Sequence, residues 1–324
     1  MRRTRTTRLA AVIAAAGLSL SACGLSTGSD TTGDVEAGSI DSSALEDTEL
    51  TVGSKDFTEQ LVLGKITVIA LKAAGADVTD RTNIQGSVNT RKSLTSGEID
   101  LYWEYTGTGW ITYLGETQPI PDDEKQYEAT ANADLKKNGI KWLDPAPFNN
   151  TYALALAEEK AQELGVETLS DYAALAKKDP DQASLCLESE FASRDDGFPG
   201  VEKTYGFQLP NSNKKNVDTG VVYTETDKGK TCTFGEVFTT DGRIQSLGLK
   251  TLEDDKGFFP IYEPSVTLKK ETLAENPKIA DVMNPIAAKL DTDTMRELNA
   301  QVDVKGKTPD DVAEAWMKKE GFIK

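Results

Sequence analysis

The strongest constraint on how this chain can fold is a hydrophobic period that switches repeatedly between strand and helix. Leu50-Thr51-Val52 reads as a short strand. Leu61, Val62, Ile66, Ile69 and Ala70 then recur at helical spacing, with Thr58 placed to cap that helix and Gly75 to stop it. Strand character returns over 78–84, a second helix is expected near 88–95, and 99–103 reads as a third strand. Such alternation predicts a parallel sheet with covering helices, whose ligands bind outside the carboxyl ends of the strands. Lys55 and Tyr105 fall just after two of those ends.

The middle third reads as a separate unit. After Phe148-Asn149-Asn150-Thr151-Tyr152 the chain enters an apolar strand over 153–157, passes helices around Ala161 and Tyr172, and reaches the apolar segments 220–223 and 236–238. Lys256-Gly257-Phe258-Phe259-Pro260 looks like a return crossing, and helices follow over 279–290, 292–302 and 309–319. Two crossings imply a hinge. Roughly 275 residues of structured chain also exceed what one compact core holds, so two lobes are expected.

The N-terminus bears on compartment. Arg2, Arg3, Arg5 and Arg8 precede an apolar run over 9–20 that is too short to span a bilayer, the pattern of an export signal over 1–22. Residues 23–48 are rich in small, polar and acidic types and are expected to form a flexible tether. Of the three cysteines, if Cys23 carries a lipid, Cys186 and Cys232 remain as an even pair in an oxidising compartment, where a disulfide is the default and a free thiol the alternative. The chain has no histidine, and two cysteines do not make a zinc site, so no metal and no cofactor is expected. With 36 Lys and Arg against 53 Asp and Glu, for a net charge of −17, a nucleic-acid partner is disfavoured.

Two segments carry a resemblance when taken together: Gly53-Ser54-Lys55-Asp56-Phe57-Thr58-Glu59-Gln60 and Glu104-Tyr105-Thr106-Gly107-Thr108-Gly109. From about Leu50 to the C-terminus the chain resembles the substrate-binding lipoproteins of ABC importers for glycine betaine, proline betaine, choline and related quaternary-ammonium osmoprotectants. The resemblance implies an α/β, two-lobed type II periplasmic-binding-protein fold with a ligand cleft between the lobes. It places 49–148 with 260–324 in the first lobe and 149–259 in the second. Leu20-Ser21-Ala22-Cys23 resembles a lipobox, which implies lipidation of Cys23 and a location on the outer face of the cytoplasmic membrane. The implied partners are a small quaternary-ammonium ligand and the permease and ATPase subunits. The membrane is touched through the lipid alone, and the protein is expected to be monomeric.

A quaternary ammonium has charge but no hydrogen-bond donor, so a protein holds it among aromatic faces, each contributing about 0.5 to 2 kcal/mol. Matching the family's motifs places Tyr105, Tyr152, Phe238 and Tyr262 in that cage, Phe238 standing where the family usually has tyrosine. Lys55 and Arg194 are expected to meet a ligand carboxylate, with Thr108 as a hydroxyl donor and Asn150 where family members often carry Asp. Two cations favour glycine betaine or proline betaine over choline or carnitine, because a ligand without a carboxylate leaves them unpaired. Trp103 replaces the family's usual proline and is expected to face away from the cleft.

An enzyme is disfavoured. No histidine serves as a base, Ser and Cys lack a recognisable activating partner, and Gly107-Thr108-Gly109 lacks the spacing of a phosphate loop. Asp122-Asp123, Asp195-Asp196 and Asp254-Asp255 could supply the paired carboxylates of a hydrolase, yet read better as solvated turns. A ligand-sensing surface lipoprotein without a transport role is the remaining alternative.

Overall fold

The computed structural model describes Val35–Lys324. The expected export signal over 1–22 and Cys23 lie outside the described residues. Among the described residues, ten strands form two five-stranded sheets. The first contains β1 (Glu49–Lys55), β2 (Asp77–Ile84), β3 (Leu101–Tyr105), β4 (Ile140–Trp142) and β10 (Pro264–Lys269), in the order β2-β1-β3-β10-β4. The second contains β5 (Tyr152–Ala157), β6 (Leu185–Leu187), β7 (Lys214–Asn216), β8 (Phe234–Phe238) and β9 (Leu249–Thr251), in the order β7-β6-β8-β5-β9.

The three strands read from the alternation, β1, β2 and β3, are parallel as expected, and each full sheet is mixed. In each, three parallel strands are followed by an antiparallel fourth: β10 beside β3, and β5 beside β8. That fourth strand is the one entered by crossing from the other lobe. A chain arriving from across the cleft starts at the cleft edge and so runs opposite to strands that end there. The same connectivity places the start of β5 and the approach to β10 beside the carboxyl ends of the parallel strands.

Helix Thr58–Ala73 packs its apolar residues Val62, Leu63, Ile66 and Ile69 against the first sheet, together with helices Lys278–Ala287, Thr292–Asp303 and Pro309–Lys319. Thr58 does not cap this helix. Phe57 occupies the cap position, and the Thr58 hydroxyl donates instead to Asp303 at 2.7 Å. Trp103 is buried in this core with its indole N–H donating to Thr67, facing away from the cleft as expected. The second lobe is tied internally by the Cys186–Cys232 disulfide, which joins strand β6 to the loop before β8.

Residues 36–48, expected as part of the tether, are docked in the structure. Gly38 and Ser39 donate backbone hydrogen bonds to Phe322 and Gly321, Lys324 donates back to Glu36, and Leu45 is buried in the first-lobe core. Composition understated this stretch because its few apolar residues, Val35, Ala37, Ile40 and Leu45, all land on one existing surface.

The two crossings between lobes are bonded to each other. Asn150 donates its backbone N–H to the Tyr262 carbonyl at 3.1 Å, and the Tyr262 N–H donates to the Asn149 side chain at 2.8 Å. Asn150 and Tyr262 thus sit on the connection itself.

Candidate functional site

One cavity of about 120 Å³ lies where the carboxyl ends of both sheets face each other, far more room than a single water requires. Lys55 ends β1 and Tyr105 ends β3; Phe238 ends β8, and Tyr152 opens β5 directly opposite it in the ladder. All eight residues expected at the ligand line it: Lys55, Tyr105, Thr108, Asn150, Tyr152, Arg194, Phe238 and Tyr262.

Five aromatic rings form a continuous wall. Phe57 stacks on Tyr105 at 6.1 Å and on Phe238 at 5.2 Å; Phe238 meets Tyr152 at 5.1 Å, and Tyr152 meets Tyr262 edge to face at 5.4 Å. Phe57 was missed from the sequence, although it lies inside the first diagnostic segment. Its cap position turns the ring from the helix toward the cleft. Gly107 is required beside this wall, because a Cβ there would lie 2.7 Å from the Tyr262 ring. Burial holds the phenols of Tyr105, Tyr152 and Tyr262 well above their usual range, so they stay neutral. Tyr105 donates its hydroxyl to Glu59 and Tyr262 to Asp196, each at 2.7 Å.

Both cations arrive already paired. Lys55 Nζ donates to Glu104 Oε1 at 2.6 Å, and Glu104 also accepts from the Tyr105 N–H and from the hydroxyls of Tyr102 and Tyr113. These added donors satisfy the carboxylate of a pair that is 3 % and 0 % exposed, the condition under which burying two charges is tolerable. Arg194 pairs with Glu190 at 2.7 Å through Nη1 and with both oxygens of Asp196 through Nε and Nη2, and Nη2 reaches Thr108 of the first lobe at 3.3 Å. Asp196 is therefore a buried structural partner and not part of a solvated turn, contrary to the reading of the Asp195-Asp196 pair.

Carboxylates outside the expected ligand set also surround the cavity. Glu188 and Glu190 line it from the loop after β6, and Asp56, Gln85, Gly86 and Ser87 line it from the first lobe. Glu190 accepts from the Ser87 N–H across the cleft. Burial opposes its ionisation, but Arg194 and Lys55 beside it bring its pKa down to about 2. Beneath them Glu236 is buried in β8, and burial pushes its pKa up to about 8. Asp56, Gln85, Glu188 and Glu190 follow strand ends in sequence, but only the packed sheets aim them at one cavity.

The family model described as the substrate binding domain of ABC-type glycine betaine transport systems matches residues 48–319. The chain belongs to this family. It is 37 % identical over 279 residues to the glycine-betaine-binding protein of Pseudomonas aeruginosa, covering 85 % of this chain and 88 % of that one. An ergothioneine transport permease/ergothioneine binding protein of Helicobacter pylori is 33 % identical over 288 residues, which span 87 % of this chain and 50 % of that longer protein. Among solved structures, a glycine betaine/carnitine/choline ABC transporter protein superposes with a TM-score of 0.68 at 30 % identity, covering 85 % of this chain and 98 % of the other. Family members share the two-lobed type II periplasmic-binding-protein fold, and this chain is a substrate-binding protein of the betaine-type ABC transporter family.

Proposed function

We propose that this protein captures a quaternary-ammonium compatible solute in the aromatic wall and delivers it to a membrane permease and its ATPase for osmoprotection. The observation that carries the reading is the run of five contiguous rings, Tyr105, Phe57, Phe238, Tyr152 and Tyr262, drawn from both lobes and the crossing between them. An N-methylated cation against several such faces gains about 0.5 to 2 kcal/mol from each. Glycine betaine and proline betaine are the favoured ligands, ahead of choline and carnitine. Lys55 has three N–H donors and uses one on Glu104, and Arg194 retains an N–H on Nη1, so a ligand carboxylate has donors to meet despite the existing ion pairs. Thr108 and Asn150 supply further polar contacts at the same cavity.

The lobes of this reading are 49–148 with 260–324, and 149–259, moving about the paired crossings. An export signal over 1–22 and a lipid on Cys23 hold the monomeric protein at the outer face of the cytoplasmic membrane. Titration calorimetry with glycine betaine, proline betaine, carnitine, choline and an uncharged amino acid tests the function. Saturable binding confined to the quaternary-ammonium compounds is expected, and no binding of any of them overturns it.

A further inference from the structure

Glu59 lies in the first turn of helix Thr58–Ala73, is 3 % exposed, and has no cation paired with it among the described residues. Four side chains converge on its carboxyl group. Oε1 accepts from the Tyr105 hydroxyl at 2.7 Å and from Asn150 Nδ2 at 2.9 Å; Oε2 meets the Thr240 hydroxyl at 2.6 Å and Asn299 Nδ2 at 3.1 Å. Tyr105 and Asn150 line the ligand cavity. Thr240 belongs to the second lobe, two residues beyond the cavity residue Phe238, and Asn299 belongs to first-lobe helix Thr292–Asp303.

We propose that Glu59 is a positioning residue that couples the aromatic wall to lobe closure, its carboxyl group joining Tyr105 and Asn150 at the cavity to Thr240 of the opposite lobe. The inference rests on the proposed function for the ligand but not for the closure itself. One oxygen serves the cavity side and the other serves the lobe contact. Thr240 reinforces the link by also reaching Asn150 Oδ1 at 2.8 Å. The segment after β8 is pressed closely onto the first lobe here: a Cβ on Gly242 would lie 2.5 Å from that of Ala300, Asn299 donates to the Thr240 carbonyl at 3.0 Å, and Arg296 donates to the Thr239 carbonyl at 3.2 Å. When the lobes part, Glu59 keeps Tyr105, which shares its lobe, but loses Thr240, and the Asn150 amide is no longer held between the two. A desolvated polar group left without its partner favours reclosure, and ligand bound to the wall biases the same equilibrium.

The test uses Thr240→Val, which removes the hydroxyl outside the ligand cavity, Thr240→Ser, which restores it, and Glu59→Ala. Small-angle scattering without added ligand is expected to give a larger radius of gyration for Thr240→Val and Glu59→Ala than for the parent, with Thr240→Ser close to the parent. Glycine betaine affinity is expected to fall about tenfold in Thr240→Val and to recover in Thr240→Ser. Thr240→Val with parental radius and parental affinity overturns the proposal, whether or not Glu59→Ala lowers thermal stability, because Glu59 would then be only a packed polar group. A parent protein that binds no quaternary-ammonium compound removes the proposed function, while the unliganded scattering still decides whether Glu59 and Thr240 hold the lobes together.

Discussion

Tyr152 and Tyr262 meet edge to face, with ring centroids 5.4 Å apart and planes at 87°, although one opens a strand of the second sheet and the other lies on the crossing back to the first. Their contact joins the cleft walls to the hinge. The Tyr262 hydroxyl donates to Asp196, which in turn holds Arg194, so ring placement and cation placement at the cavity are one arrangement.

Replacing Tyr152 by leucine keeps apolar bulk against Phe191 and Phe259 but removes a π face from the cavity. Glycine betaine affinity is expected to fall about tenfold, corresponding to about 1.4 kcal/mol, with a cooperative thermal transition retained. Calorimetry showing parental affinity would mean that the ligand does not touch this wall.

Arg194→Ala separates the two ends of the ligand. Loss of the guanidinium is expected to weaken glycine betaine more than choline, because choline has no carboxylate to lose. Equal losses for both would show that Arg194 serves as a strut through Thr108, Glu190 and Asp196 and not as the carboxylate's partner.

The disulfide lies outside the cavity, so reduction tests stability apart from binding. Denatured, unreduced protein is expected to show no reactive thiol from Cys186 or Cys232. Reduction is expected to lower stability by about 3 to 4 kcal/mol on chain-entropy grounds while leaving glycine betaine binding in place. Labelling of both cysteines before reduction would contradict the bond.

Glu236 predicts a pH dependence. Burial raises its folded pKa from 4.5 to about 8, with Glu188 and Glu190 adding to the rise and Arg194 opposing it. The fold therefore favours the protonated acid. Its contribution is complete below about pH 4.5 and is lost as pH climbs through about 8, at about 1.4 kcal/mol per pKa unit. Glu236→Gln keeps an acceptor for the Glu188 N–H and cannot ionise. Its stability relative to the parent is expected to increase from pH 5 to pH 8 by up to a few kcal/mol in denaturant titrations, and a constant difference across that range would refute the assignment.

Hydrophobic period was enough to read the strands near 50, 78, 101 and 153 and the helices after the first, second and fourth of them, because those patterns are set by neighbours a few residues apart; helix Asp123–Asn138, whose face carries few apolar residues, was not read. Matching the family's motifs also named eight of the residues that line the cavity, while Phe57 and Glu188, which line it too, were not named. Tertiary structure alone decided which acid answers which base. Lys55 finds Glu104 on a neighbouring strand, and Asp196, which holds its near neighbour Arg194, is fixed by the distant Tyr262 hydroxyl. It also turned Thr58 from a cap into a partner of Asp303, drew residues 36–48 onto the C-terminal segment, and gathered Tyr105, Asn150, Thr240 and Asn299 around Glu59. Burial makes each lone polar group costly, and the partner that relieves the cost is chosen by proximity across the packed sheets, which no local pattern encodes.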